Sequence, residues 1–380
     1  MMLALRIRKA EVAVKDGRLD EAYQQAVRED VREHRKGQRL ITRLTKAFQD
    51  RARQHLKSGN AAAAMAEIMN GRATDSQIAA FIVGLRTKGE SAAEMAGLVD
   101  AMMSASVTVD VDDAVDIVGT GGDGYGTFNI STTASFIAAG AGVRIAKHGN
   151  RAASSKTGSA DLLEALGFDL ELGPGAVARM VDETGFGFFF APRFHPAMRF
   201  AVPVRKELGV RTVFNFLGPL CNPAGALMSV GVSDSRMAAL MIDVLAARGV
   251  EKAFVFYGEE GLDELSTSGP SRIHRLLDGE ITEAEFTPED FGIERGTVTD
   301  LEGGGPAENV AITRSILAGD PGPKADAAIV NAAPAIVLSG MATGFVEAVD
   351  LARDAVRTGA AQGVLEKSLT LSKQLGETTT

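Results

Sequence analysis

Beyond residue 60 the apolar positions recur at helical spacing in three short runs, 61–70, 75–88 and 91–104. Thr74 with Gln77 and Ser91 with Glu94 stand at capping-box spacing ahead of the second and third runs. At 107–118 the pattern changes to β-branched and apolar residues ending in DIVGT. Strand-like runs then follow at 115–118, 142–146, 186–191, 227–232, 252–257 and 310–313, with helical stretches between several of them. This alternation predicts an α/β fold: a small helical unit, then a mostly parallel central sheet flanked by helices. The stretch HPAMRFAVPVRKELG at 195–209 reads as a helix kinked at Pro203. Residues 1–59 read as helices punctuated at Gly17, Gly37 and Gly59, and the closing TTT is expected to fray.

Composition narrows the class. The chain has 380 residues, 45% hydrophobic and 23% charged, which are ordinary values for a globular protein large enough for two domains. Its apolar runs are interrupted before the roughly 20 residues a membrane span needs. Basic residues inside the first apolar run, and the lack of a small-residue cleavage site after it, argue against a secretory signal. The single cysteine, Cys221, can form no internal disulfide, so a cytoplasmic location is expected. The net charge of −9 is unevenly spread: residues 1–60 hold fifteen Lys and Arg against eight Asp and Glu, and the remainder is strongly acidic. An acidic body disfavours nonspecific nucleic-acid binding, and the basic leader reads first as a solvated helical face.

Three segments carry chemistry. GTGGDGYGTFNIST at 119–132 lies between a short strand and an apolar helical run. Its glycines let the backbone approach an anion, while Asn129, Ser131 and Thr132 bring donors to a helix start, so the segment reads as a phosphate cradle. It is no Walker loop, because no Lys-Ser or Lys-Thr pair follows. It matches the dinucleotide fingerprint in letters but lacks the acidic residue after the next strand. KHGNRAASSKTGSADLLEALG at 147–167 follows the second strand and is expected on the same sheet edge. There Lys147, Arg151 and Lys156 supply positive charge, and Ser154, Ser155, Thr157 and Ser159 supply hydroxyls. GEEGLDELS at 258–266 sets Asp263 beside Glu264 after a strand. That pair suits a hard divalent cation bridging to a diphosphate, although acidic loop pairs are also common as plain solvated charge. Arg205, in the 195–209 segment, offers a bidentate fork for a carboxylate, or simply a surface arginine.

Together GTGGD at 119–123, NIST at 129–132, KHGNR at 147–151, VRKELGVRTVFNFLGPLCNPA at 204–224 and GLDEL at 261–265 resemble the anthranilate phosphoribosyltransferases, from about Ala61 to about Leu375. The resemblance implies transfer of the phosphoribosyl group of phosphoribosyl pyrophosphate (PRPP) to the amine of anthranilate in tryptophan biosynthesis. It also implies an extension at 1–59, a small helical domain at 60–110 joined by a helical segment near 195–216, and a large α/β phosphoribosyl-binding domain at 111–380. The active site is then expected at the hinge, with a homodimer formed through the small domains. Carried over, the likeness places PRPP at Gly119, Thr120, Gly121, Gly122, Asp123, Thr127, Asn129, Ser131, Thr132, Lys147 and Ser159. It places anthranilate at Gly119, His148, Asn150 and Arg205, and two magnesium ions at Ser131, Asp263 and Glu264. No general base is implied. Met198 stands where some relatives carry tyrosine, and Cys221 replaces a threonine often found before the NPA turn. Two other readings remain: a pyrimidine nucleoside phosphorylase-like enzyme, which the KHGNR loop and the Asp263–Glu264 pair oppose, and a noncatalytic nucleic-acid-binding relative, which the acidic body opposes.

Overall fold

The computed structural model describes residues 61–152 and 155–377; the leader expected to be helical, Ser154 and the closing TTT lie outside the described residues. The elements are α1 (Ala61–Met69), α2 (Asp75–Lys88), α3 (Ala92–Ser104), β1 (Ala114–Gly119), α4 (Ile130–Gly140), β2 (Arg144–Gly149), α5 (Ser159–Leu166), α6 (Pro174–Thr184) and β3 (Phe186–Phe190). They continue with α7 (Val202–Leu208), β4 (Leu227–Gly231), α8 (Ser235–Ala247), β5 (Lys252–Gly258), β6 (Ser271–Leu277), β7 (Glu280–Phe286), α9 (Pro306–Leu317), α10 (Pro323–Leu338), α11 (Phe345–Arg357) and α12 (Ala360–Glu377). Shorter helical turns lie between some of them. The described chain divides into a helical unit, 61–105 with Ala197–Phe214, and an α/β unit, Ser106–Pro196 with 215–377.

In the helical unit both capping boxes form. Thr74 and Ser91 accept from the backbone N–H of Gln77 and Glu94, whose side chains return to the cap N–H groups. Each such cap is worth about 1 kcal/mol. α1 packs on α3, with Gly97 set against Ala62, where a Cβ would stand 3.2 Å from the alanine methyl. The 195–209 stretch is not one kinked helix. Pro196–Phe200 is a 3₁₀ turn, and Pro203 sits in the first turn of α7, where its missing N–H leaves no helical bond unmade. α7 packs on α2, and Arg86 donates to the Arg211 carbonyl.

The α/β unit is built on one seven-stranded sheet of order β3-β2-β1-β4-β5-β6-β7. The first five strands are mutually parallel, and β6 and β7 add an antiparallel hairpin at the β5 edge. Sequence patterning did not separate this hairpin, because β7 (EITEAEF) carries no buried residue and shows no apolar face. The strand expected at 310–313 is instead part of α9: Pro306 opens that helix, and its buried positions Asn309, Thr313, Ile316 and Leu317 follow a helical period. α4 is buried along most of its length between the sheet and helices α10 and α12. From β1 the chain winds outward through β2 to β3, and from β4 it winds the opposite way to β5. Right-handed crossovers in opposite directions put α4 and α8 on opposite faces, so a crevice opens between the carboxyl ends of β1 and β4. No described helix is long and apolar enough to cross a membrane.

Candidate active site

The acidic loop after β5 closes over the β1/β4 crevice. Gly119 and Gly231, the last residues of β1 and β4, pair in register. A Cβ on Gly119 would lie 2.4 Å from Asp263 Oδ2, and one on Gly231 would lie 1.8 Å from the Asp263 carbonyl oxygen. Asp263 therefore rests on two adjacent strand ends, and only glycine at both lets it do so. From there its Oδ2 accepts the Gly121 N–H at 2.6 Å. Gly121 and Gly122 have φ of 69° and 78°, a left-handed pair that turns successive backbone N–H groups into a concave, anion-accepting surface. Glu264 accepts the Ser131 N–H at 3.2 Å, placing a carboxylate at the amino end of α4 where an anion is favoured. Asn331 of α10 holds the loop from below, accepting the Leu265 N–H at 2.7 Å and donating to the Leu265 carbonyl at 3.0 Å.

This is a concentrated negative charge in a dry place. Asp263 and Glu264 are each 8% exposed. Burial, then the Asp123 charge, pushes the Asp263 carboxyl up to about 7. Burial, then Asp263 itself, raises Glu264 well above its ordinary range, while Lys147 opposes the shift. Asp123 Oδ2 is buried with no hydrogen-bond donor. Two adjacent buried carboxyls held above their ordinary range, beside an Asp123 oxygen without a donor, fit a divalent cation. Among the described residues no group of three or more His, Cys, Asp or Glu forms a ready-made metal cage. A magnesium ion held by the Asp263–Glu264 pair would keep several waters and take substrate phosphate oxygens as its further ligands.

The carboxyl end of β2, which runs on through Lys147 and His148 where the sequence pattern ended the strand at 146, supplies the countercharge. Lys147 is 1% exposed; its ammonium donates to the Ile117 carbonyl at 2.5 Å and to the Ser131 hydroxyl at 3.4 Å. Burial lowers its pKa, and Asp116 and Glu264 raise it again. Asp116, fully buried on β1, is pushed up to about 6 by burial, against the pull of Lys147 and of bonds from Asn222 and the His148 N–H. His148 is lowered to about 3 by burial and by the neighbouring His195 ring, whose centroid is 5.1 Å away, so it is a neutral imidazole. Its Nε2 is buried without a partner.

The α/β unit thus gathers Gly119, Gly121, Gly122, Asp123, Ser131, Lys147, Asp263 and Glu264 around one crevice. Other residues expected at the site have local tasks. Thr120 meets Ser233, whose N–H it accepts at 3.2 Å, and Thr127 forms an isolated β-bridge with Glu302. Asn129 donates to the Thr157 carbonyl at 3.1 Å. Thr132 is buried with its hydroxyl unpaired. The Ser159 hydroxyl donates to the Asn150 carbonyl at 3.2 Å, and the Asn150 side chain accepts the Arg151 N–H at 2.8 Å. Arg151 is not a free cation, because Glu164 and Asp161 engage its guanidinium. Arg205 belongs to the helical unit, on α7, its guanidinium 5.3 Å from the Phe214 ring centroid. Sequence reasoning passed over Asp116, Asn222, Asn309 and Asn331. Asp116 and Asn331 left a readable signal, each a polar residue inside an otherwise apolar run. Asn309 left none.

Comparison with known proteins accords with this geometry. The family model described as "Glycosyl transferase family, a/b domain" matches residues 111–362, and that described as "Glycosyl transferase family, helical bundle domain" matches residues 39–106. The helical-bundle match begins ahead of Ala61, where the motif likeness starts. The anthranilate phosphoribosyltransferase of Moorella thermoacetica is 48% identical over 318 residues, covering 83% of this chain and 94% of the relative. The crystal structure of anthranilate phosphoribosyltransferase from Thermus thermophilus matches with a TM-score of 0.80 at 43% identity, covering 85% of this chain and 99% of that one. The Saccharomyces cerevisiae enzyme in complex with PRPP and Mg matches with a TM-score of 0.77 at 29% identity, covering 83% and 93%. A glycine loop with left-handed backbone, a buried acidic loop over the switch point and this breadth of likeness lead to one assignment: the chain belongs to the anthranilate phosphoribosyltransferase family.

Proposed function

We propose that this chain transfers the phosphoribosyl group of PRPP to the amine of anthranilate, releasing pyrophosphate, as a step of tryptophan biosynthesis in the cytoplasm. The observation that carries the reading is the Asp263–Glu264 loop, buried over the β1/β4 crevice and facing both the glycine loop and the amino end of α4. Free phosphate, as a phosphorylase would use, gives those two buried carboxylates no partner; a magnesium-chelated diphosphate does.

Asp263 and Glu264 hold the metal in this reading, two ions in number, with the Ser131 hydroxyl near one of them. Bound there, magnesium neutralises the negative charge that builds on the departing pyrophosphate. The amino end of α4 and Lys147 serve the same charge, and being fixed in place they need no reorganisation as it develops, while the glycines at 119–122 let the diphosphate approach the backbone closely. The bond from the anomeric carbon to the pyrophosphate oxygen breaks, a bond to the anthranilate nitrogen forms, and the amine gives up one proton. Because the anomeric centre becomes cation-like, positioning outweighs deprotonation, and no residue is assigned as general base. Thr120, Asp123, Thr127, Asn129, Thr132 and Ser159 line the PRPP side. Asn150, Gly119 and the neutral His148 receive anthranilate, and Arg205 takes its carboxylate. His148 carries no charge at neutral pH, so it serves as a hydrogen-bonding group and not as an acid. The homodimer implied by the sequence likeness is checked by light scattering on the purified chain.

The direct test follows the loss of anthranilate fluorescence on adding purified protein, PRPP and magnesium, omitting each in turn. A decrease that requires all three supports the reaction. If fluorescence holds while the protein still binds PRPP, the acceptor is a different one and this reading fails.

A further inference from the structure

The glycine-rich loop is gripped from a second side by a segment to which no part of the reaction has been assigned. The Phe128 N–H donates to the Leu301 carbonyl at 2.9 Å, the Gly303 N–H donates to the Gly126 carbonyl at 3.0 Å, and Thr127 bridges to Glu302 between them. A Cβ on Gly303 would stand 2.5 Å from Phe128 Cα, so the two backbones touch. At the end of this brace Asn309, on the first turn of α9 and 1% exposed, reaches the same loop. Its Oδ1 accepts the Gly304 N–H at 2.8 Å, and its Nδ2 donates to Asn129 Oδ1 at 2.9 Å. Asn129 in turn donates from Nδ2 to the Thr157 carbonyl at 3.1 Å, and the Thr157 hydroxyl donates back to the Gly304 carbonyl at 2.8 Å.

The polarity of this relay is fixed at both ends. A backbone N–H can only donate and a backbone carbonyl can only accept. Gly304 therefore forces Asn309 to present its oxygen to the backbone and its amide nitrogen to Asn129. The Thr157 carbonyl independently forces Asn129 to present nitrogen on its far side. An asparagine amide is otherwise free to flip, and here neither can flip without setting like against like. Asn129 makes no side-chain cap to its own helix, and it is only partly buried. One of its two N–H groups is left uncommitted.

We propose that Asn309 is a positioning residue for phosphoribosyl transfer: by locking the Asn129 carboxamide in one orientation, it keeps the uncommitted Asn129 N–H available to the bound PRPP. The proposal rests on the assignment of PRPP to this loop. An acceptor turned toward phosphate or ribose oxygens would repel the ligand, so the orientation matters as much as the presence of Asn129.

The test compares the full-length protein with Asn309→Asp, Asn129→Ala and the double variant, measuring PRPP binding by calorimetry in magnesium buffer and the KM of each substrate. Asn309→Asp keeps an acceptor for Gly304 but asks Asn129 to donate, which turns the Asn129 oxygen away from its proper side. The expected result is a loss of PRPP affinity of at least about tenfold, an anthranilate KM within about twofold of wild type, and no further loss when the change is added to Asn129→Ala. Wild-type PRPP affinity in Asn309→Asp, or losses that multiply in the double variant, overturns the proposal. Should the aspartate variant not fold, Asn309→Ala, which removes the donor to Asn129, is read by the same cycle, the coupling to Asn129→Ala being the deciding readout. Failure of the wild-type protein itself to bind PRPP would count against the assigned reaction and is thereby distinguished from failure of the positioning role.

Discussion

At the scale of single residues, charge in the α/β unit is arranged by burial. Lys147 lies between Asp116 on one side and Glu264 on the other, so one cation answers to a structural carboxylate and a proposed metal ligand at once. His148 is kept neutral by the same dry surroundings. Arg205, on the helical unit, is the proposed partner of the anthranilate carboxylate. Replacing Arg205 with alanine is expected to raise the KM for anthranilate by roughly 10- to 100-fold, the worth of a charge-assisted hydrogen bond, with PRPP affinity unchanged. Steady-state kinetics with each substrate varied separately measures this; equal damage to both substrates would remove Arg205 from the carboxylate-binding role. Sequence spacing led to Lys147, Asp263 and Glu264 because each stands at or just after the carboxyl end of a strand in a recognisable motif. It could not lead to Asn222, whose partner Asp116 lies 106 positions earlier in the chain. Such pairings become visible only when distant strands are brought side by side.

At the scale of elements, the acidic loop is held by what lies beneath it. Asn331 satisfies both the N–H and the carbonyl of Leu265 from inside α10, and also bonds the Ala327 carbonyl. Asn331→Leu leaves two buried backbone groups without partners, which should cost about 2–4 kcal/mol. The expected outcome is a lowered urea midpoint and weakened magnesium-dependent PRPP binding, even though Asn331 touches no substrate; unchanged binding would mean the loop keeps its place without this anchor. The parallel strands were legible because each is a short, largely apolar run bounded by turn or helix-start residues. The β6–β7 hairpin was not, since an edge hairpin with one solvated strand has no clean alternation to read. The run at 310–313 misled for a related reason: AENVAIT offers a short stretch of apolar and β-branched residues, and a window of four cannot distinguish a strand from one face of a helix.

For the whole molecule, the buried carboxylates tie stability to pH and to ligand. Asp116 and Asp263 have folded-state pKa values raised above the ordinary 3.8, to about 6 and about 7, and Glu264 is raised as well. A raised carboxyl favours folding most below its ordinary pKa, and that contribution is lost as pH rises through the raised value. The ligand-free protein should therefore lose melting temperature between about pH 4 and pH 7 from these groups. A cation takes the ionised carboxylates, so the stabilisation by magnesium with PRPP should be larger at pH 8 than at pH 6. Thermal melts at both pH values, with Asp263→Asn as the comparison that flattens the difference, measure it; an equal shift at both pH values in the wild type would rule the coupling out. Local pattern, capping chemistry and motif order were enough to determine an α/β chain with a helical unit and the family it resembles, because helix caps, strand ends and glycine turns are set by residues near in sequence. Tertiary structure alone decided that Asp263 rests on Gly119 and Gly231, that Lys147 is shared between Asp116 and Glu264, and that Asn309 orients Asn129. Each of these depends on segments up to 180 residues apart meeting at one edge of a sheet, and the free energy of a buried charge or amide is fixed by the neighbours it meets there.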